Sequence, residues 1–333
     1  MIDSTNTSNV SSIFSNVKSK FSGEKMNKLA MSFILPALGL AFFVLLWSLV
    51  AKNIDTSLGQ FPGPSQVASQ ASALWQEHKA ESEKAEAFYK RQEDRNAKRL
   101  AQDPSYEPKV RVYTGAPTFF AQIWTSLYTV SVGFVLASII AVPLGIACGL
   151  SKSVYAALNP IIQIFKPVSP LAWLPLVTMV VSAVYVSDDP LFSKSFVTSA
   201  FTVALCCLWP TLINTAVGVS SIDKDLINVS KVLRLKPLAH VITIVLPSSI
   251  PMIFTGLRLS LGIGWMVLIA AEMLAQNPGL GKFVWDEFQN GSSNSLARIM
   301  VAVITIGIIG FLLDRLMLLL QQKVSWDKSV ELR

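Results

Sequence analysis

Long apolar runs separated by short polar breaks dominate this chain of 333 residues. A helix that crosses a bilayer core about 30 Å thick needs about 20 mostly apolar residues. Six runs reach that length, so the pattern predicts an all-α polytopic membrane protein with six transmembrane helices. The predicted spans are 29–51, 120–150, 168–187, 195–220, 248–274 and 296–320.

The distribution of charge favours a membrane protein over a soluble enzyme. Apolar residues make up 52% of the chain and charged residues only 15%, whereas an ordinary globular chain carries about 25% charge. Residues 112–151 contain no Asp, Glu, Lys or Arg, while residues 77–99 contain thirteen. The surface of a soluble protein of this size cannot include so long an uncharged stretch, and soluble enzymes are therefore excluded.

Lys and Arg in the short loops predict the orientation of the chain. If the N-terminus is cytoplasmic, thirteen Lys and Arg lie on the cytoplasmic side, and the opposite short loops hold only Lys194 and Lys282, with Arg298 at an edge. We therefore expect cytoplasmic tails at 1–28 and 321–333. The net charge of +7 follows from this topology, and we expect no nucleic-acid partner.

The segment 52–118 is long and polar, and this orientation places it outside the cytoplasm. After the turn-forming residues Gln60–Ser65, pairs such as Glu86/Lys90 at i,i+4 predict a helix over 65–101. The segment has few apolar residues to bury. We interpret it as a solvated helix or hairpin, with a docking surface for a partner as the alternative.

The chain lacks the motifs that catalysis or metal binding would need. Gly279–Lys282 has neither the spacing nor the hydroxyl of a phosphate-binding loop, and the three cysteines lie in apolar runs without metal-binding spacing. We predict no catalytic, cofactor or metal site, and a transporter component whose energy comes from another protein. Gly145 and Gly149, at i,i+4, predict close packing of helices in lipid.

A short amphipathic helix is predicted at about 222–236, between the fourth and fifth spans. Ser221 is its predicted N-cap, and Asp223 and Asp225 lie in the first turn, where the helix dipole favours acidic residues. One apolar stripe is formed by Leu226, Val229, Val232 and Leu233. Such a helix lies on a lipid surface or docks into a groove of a soluble partner.

This segment resembles the coupling loop of bacterial ABC importer permeases, E-A-A-x-x-x-G followed by I-x-L-P. Asn228–Ser230 stands at the E-A-A positions, Arg234 at the glycine, and Ile244–Pro247 at the final motif. Further segments are similar to the nitrate/bicarbonate/sulfonate branch of these permeases: Phe165–Pro175, Trp209–Val219, Phe254–Leu274 and Gly279–Asp286. The resemblance covers about 117–320 and the first span, and leaves 75–112 as an insertion.

The resemblance implies a type I ABC importer permease with the MetI-like fold in the bacterial inner membrane, its core at 119–320. A second copy of the chain would complete the pathway. Two cytoplasmic ATPases would bind ATP and Mg, and a periplasmic or lipid-anchored binding protein would deliver the substrate. Nitrate is favoured, with nitrite or cyanate as related candidates. Bicarbonate and taurine or another alkanesulfonate remain alternatives, as does, from another class, a stand-alone secondary anion transporter.

Two sets of site residues follow from this resemblance and from the position of polar residues in the spans. The expected ATPase-coupling residues are Asp225, Leu226, Asn228, Val229, Ser230, Lys231, Val232 and Leu233. The candidates for the translocation pathway are Arg258, Ser169, Trp173, Trp265 and Glu272. For Arg258 two interpretations stay open: it gives the pathway a positive potential, or it pins neighbouring spans together.

Overall fold

The computed structural model describes residues 31, 33–56, 59–103, 105–186 and 191–324. The tail predicted at 1–28 lies outside these residues, as does the C-terminal tail from residue 325. The chain divides into two compact units, residues 1–68 and 69–333.

The first unit contains one apolar helix and a small hairpin. Helix α1 covers Phe33–Lys52 and exposes nearly all of its apolar side chains. Strand β1 (Asp55–Thr56) pairs antiparallel with β2 (Gly59–Gln60), with Asp55 opposite Gln60. Gly59 has a φ of 113°, which glycine adopts without steric cost. The indole Nε1 of Trp47 donates to the Pro62 carbonyl at 3.1 Å, which fixes the exit from α1.

The other described elements are helices, and the division between the units falls inside the first turns of α2. The helices are α2 (Pro64–Gln102), α3 (Phe119–Leu150), α4 (Lys152–Phe165), α5 (Pro170–Val184), α6 (Lys194–Ser220), α7 (Lys224–Val232), α8 (Pro237–His240), α9 (Leu246–Ala275), α10 (Leu280–Asn290) and α11 (Ser295–Val324). A π-helical turn, Val241–Val245, joins α8 to α9, so that Pro237–Ala275 forms one continuous helical rod.

Five described helices are long and apolar enough to cross a membrane, and a bent pair supplies a sixth candidate. The five are α1, α3, α6, the rod Pro237–Ala275, and α11. The predicted third span, 168–187, contains α5, which has only 15 residues and meets α4 at a bend of 101°. Pro167 and Pro170 explain the break: proline removes a helical N–H and forces the residue before it out of the helical region.

Helix α6 packs against both α3 and α9 through small residues. A Cβ added at Gly145 of α3 would lie 2.6 Å from the Cβ of Thr215 on α6, and one at Gly149 would overlap Val219. The predicted role of these two glycines in close helix packing is therefore confirmed. On the α9 side, the hydroxyls of Thr211 and Ser260 are 2.6 Å apart and buried.

Residues 105–117 form neither helix nor strand and run back along α2. The Gln92 side chain bonds both backbone groups of Arg111, accepting from its N–H at 2.8 Å. The Tyr113 hydroxyl donates to the Glu81 carboxylate at 2.7 Å and, with Lys84, holds the pKa of Glu81 below its ordinary value. Side-chain bonds of this kind, and few apolar contacts, support the return segment.

Candidate coupling and translocation sites

Helix α7 begins later than the sequence predicts. Ser221 was expected to cap it, but α6 continues to Ser220, and the Ser221 N–H bonds the Val217 carbonyl at 3.0 Å as the C-cap of α6. Asp223 is the actual N-cap of α7, and its Oδ1 accepts from the N–H of Asp225 at 2.9 Å. The predicted 222–236 helix is therefore shortened at its start to Lys224.

The end of α7 is also earlier than predicted, because the chain turns at Arg234. The Leu235 N–H bonds the Ser230 carbonyl at 3.2 Å, and the Arg234 N–H bonds the Lys231 carbonyl at 3.1 Å. This pattern is the Schellman motif, which needs a left-handed residue after the helix. Arg234 supplies it with a φ of 48°. The coupling motif that this segment resembles has glycine at this position, and glycine adopts such a conformation without steric cost.

The exposed face of α7 is apolar, and one expected coupling residue lies on its inner side. Leu226, Val229, Val232 and Leu233 are between 44% and 81% exposed. Asp225, Asn228 and Lys231 are exposed beside them. Ser230 is buried, and its Oγ lies 2.7 Å from Nδ1 of His240. Ser230 therefore ties α7 to α8, and its expected direct contact with an ATPase does not fit this position.

Arg258 on α9 forms an ion pair with Asp314 on α11, a partner that the sequence reasoning did not identify. Its Nε lies 2.9 Å from Oδ1 and its Nη2 lies 3.1 Å from Oδ2, so the contact is bidentate. The pair carries no net charge, which removes the physical basis for a strongly positive pathway at this residue. The available signal was that Asp314 is the single acidic residue in the sequence of the predicted span 296–320.

Glu272, another pathway candidate, is fully buried among hydrogen-bond donors. Its two carboxylate oxygens lie 2.9 and 2.8 Å from the Ser126 hydroxyl, and Oε2 accepts from the Gly281 N–H at 2.9 Å. A side chain at Gly279 would overlap the carboxylate. Glu272 thus joins α9 to α3 and to the start of α10, and its role in the pathway stays a prediction.

The remaining pathway candidates have separate local contacts. The buried Trp265 donates from Nε1 to the Ile306 carbonyl at 2.9 Å, which links α9 to α11. Trp173 packs on Phe165, with ring centroids 5.5 Å apart, across the bend between α4 and α5. Ser169 caps α5 by accepting from the Leu171 N–H at 3.3 Å. The described contacts do not join any of these three residues to Arg258.

Comparison with known families decides the class of protein. Residues 141–326 match the model of the binding-protein-dependent transport system inner membrane component. The chain belongs to this family. As an ABC importer permease, it is a multi-pass membrane protein that works with ATPase and binding-protein components.

Individual relatives agree with this assignment. The nitrate import permease of Leptolyngbya laminosa is 37% identical over 220 residues, which covers 65% of this permease and 74% of the relative. A bicarbonate transport system permease of Synechococcus elongatus is 38% identical over 204 residues, covering 61% and 68%. The family resemblance inferred from the motifs is thereby confirmed.

The fold has a counterpart among solved structures. A chain of the MetNI methionine ABC transporter, in an inward-facing crystal form, matches with a TM-score of 0.53 at 15% identity. The match covers 62% of this permease and 96% of that chain. The predicted MetI-like importer permease fold is therefore confirmed.

Proposed function

We propose that this chain is the transmembrane permease of an ATP-driven importer that carries nitrate into the bacterial cytoplasm. The observation that carries the transport role is α7, a short helix with an exposed apolar stripe and a fixed attachment to the spans. The likeness to nitrate import permeases supports the choice of substrate. Nitrite and cyanate are further candidates because they are small monoanions of similar charge.

The working complex would contain two copies of this chain, two cytoplasmic ATPases and a periplasmic or lipid-anchored binding protein. The ATPases would bind ATP and Mg, and this chain would hydrolyse nothing. The excess of Lys and Arg in one set of loops supports cytoplasmic termini and a cytoplasmic position for α7. Under that orientation α2 lies on the side where the binding protein delivers the anion.

Movement of an ATPase would reach the spans through the attachments of α7. The Ser230–His240 bond links α7 to α8, and α8 continues through the π-helical turn into α9. Single π-helical turns inside helices are frequent at functional sites. The rod Pro237–Ala275 therefore connects the docking helix directly to the span that carries Arg258.

The substrate can be tested by uptake in a strain that lacks the transporter. We expect cells complemented with this permease and its partners to take up labelled nitrate, and unlabelled bicarbonate or taurine in excess to compete poorly. Uptake of labelled bicarbonate in place of nitrate would favour the alternative supported by the bicarbonate permease relatives.

The coupling role can be tested on the apolar stripe. Val229→Asp places an unpaired carboxylate in the proposed contact with the ATPase, and we expect nitrate uptake to fall about tenfold or more because such a group loses its hydration there. The matched control is Val110→Asp, the same substitution at an exposed valine outside α7, which should retain most uptake. Normal coupling of ATP hydrolysis to uptake in Val229→Asp would overturn the assignment.

A further inference from the structure

The Arg258 guanidinium has an unused hydrogen-bonding edge. A guanidinium presents five N–H donors in one plane, and it can meet planar anions along more than one edge. Asp314 occupies the edge formed by Nε and Nη2. Among the described residues no acceptor bonds Nη1, so the edge formed by Nη1 and Nη2 can take a second planar anion.

The surroundings of the pair leave this edge accessible. The Arg258 side chain is 27% exposed and that of Asp314 is 43% exposed. The same side of α9 continues with the exposed Leu259 and Met266. Gly262 lies between them, and a Cβ added at Gly262 would have no neighbouring atom within 4 Å. The ion pair therefore borders an open face of α9.

The depth of the pair decides what this open face contacts. Asp314 lies about 24 Å along α11 from Arg298 and about 15 Å before the end of that helix at Val324. Ionised side chains at such depth face protein or water, because contact with lipid tails is costly. The open face beside Arg258 consequently belongs against a water-filled pathway or the second copy of the chain that encloses it.

We propose that the free edge of Arg258 binds the planar oxyanion during transit and that Asp314 is the positioning residue that orients the guanidinium. This inference rests on the proposed function. Nitrate and bicarbonate each hold three oxygens in one plane, and two of these oxygens match two parallel N–H groups as a carboxylate does. Asp314 also neutralises the arginine, so the anion is held weakly enough to leave, which transport requires.

The test uses the assembled complex, with its ATPases and binding protein, in proteoliposomes that report nitrate uptake and ATP hydrolysis together. Arg258→Lys keeps the positive charge but loses the planar fork. We expect its maximal rate of nitrate uptake to fall about tenfold, as for a lost hydrogen bond to a charged group. The KM for loaded binding protein and the stimulated ATPase rate should stay within about twofold of wild type.

The positioning role of Asp314 needs its own comparison. Asp314→Asn should lower the maximal uptake rate about threefold, and Asp314→Glu should restore most of it, with the thermal unfolding temperature unchanged in both. The matched control is Arg315→Lys, because the Arg315 guanidinium stacks over the Phe311 ring at 5.1 Å. That variant should transport at the wild-type rate.

Each contrary outcome has a distinct meaning. Wild-type uptake rates in both Arg258→Lys and Arg258→Gln would overturn the inference and leave the nitrate importer intact. Loss of the assembled complex in both variants would show a structural pin and overturn it too. If wild type carries only bicarbonate, the proposed substrate is wrong. Equal bicarbonate uptake by wild type and Arg258→Lys would then show that the free edge of Arg258 does not bind the anion. If wild type carries neither anion, both proposals fail.

Discussion

Arg258 and Arg298 both lie in spanning helices, but they differ in how many of their donors are used. Arg298, at the start of α11, bonds Glu287 through Nη1 at 3.1 Å, Glu77 through Nη2, and Gln70 through Nε. Every nitrogen of its guanidinium has a partner, and these partners come from α2 and α10. Within the described part of the chain, Arg258 pairs with Asp314 alone and keeps an edge free. An arginine whose guanidinium nitrogens all have partners holds helices together, whereas an arginine with unused N–H donors can also bind a ligand.

The carboxylates of the spans follow the same division. Glu272 is buried and accepts from Ser126 and Gly281. Asp314 is half exposed, and both of its carboxylate oxygens contact Arg258. The two acids have similar surroundings in the sequence, an apolar helix with few other charges. If Arg258 has the proposed role, the number of filled hydrogen-bonding positions distinguishes the pathway pair from the structural carboxylate better than residue type does.

Replacing Arg298 should give the largest loss of stability. Arg298→Ala leaves the nearly buried Glu287 without its counter-charge, and we expect a cost of about 2 to 3 kcal/mol. Arg258→Ala should cost under about 1 kcal/mol, because its pair is more exposed. Thermal unfolding of the purified complex, followed by tryptophan fluorescence, measures both. Equal shifts in the two variants would contradict the comparison.

Glu272 should show a smaller effect with no change in transport. Glu272→Gln keeps the shape of the side chain but replaces one acceptor by an NH₂ group, which leaves a partner of the carboxylate poorly bonded at a cost of about 1 to 2 kcal/mol. Nitrate uptake per assembled complex should equal that of wild type. A transport defect without a change in unfolding temperature would instead place Glu272 in the pathway.

The smallest expected effect is a gain in the stability of α7, at Arg234, where the left-handed backbone conformation favours glycine. Arg234→Gly relieves the left-handed conformation at the end of α7, and we expect a local stabilisation of about 0.5 to 1 kcal/mol. Slower hydrogen exchange of the α7 amides would report it, with nitrate uptake unchanged. The control is Lys236→Gly, at an extended residue with φ of −61°, where glycine should bring no gain.

Hydropathy alone predicts most of the spans, because an apolar run of sufficient length has few alternatives to a membrane helix. Hydropathy did not predict the bend between α4 and α5, at Pro167 and Pro170, and the predicted N-cap Ser221 is instead the C-cap of α6. A wider view of the turn residues around 166–170 would have predicted the bend, since proline there interrupts the helix.

The pairings within the spans could not be predicted from residue order. Arg258 and Asp314 are 56 residues apart, and Ser126 and Glu272 are 146 residues apart. Which polar groups meet depends on the rotation and depth of each packed helix, and the periodicity of a single span fixes neither. The sequence marked Arg258 and Glu272 as unusual charged residues within a span. It could not show that Arg258 has unused hydrogen-bond donors whereas both carboxylate oxygens of Glu272 accept hydrogen bonds.

The attachment of α2 at Arg298 has a mechanical consequence. Helix α2 continues for about 38 Å beyond Glu77 to its end at Gln102, at 1.5 Å per residue. Because the anchoring residues belong to α10 and α11, a tilt of those helices by about 5° would sweep the far end of α2 through about 3 Å. A small tilt of α10 and α11 therefore moves the C-terminal end of α2 by about the length of an atomic contact.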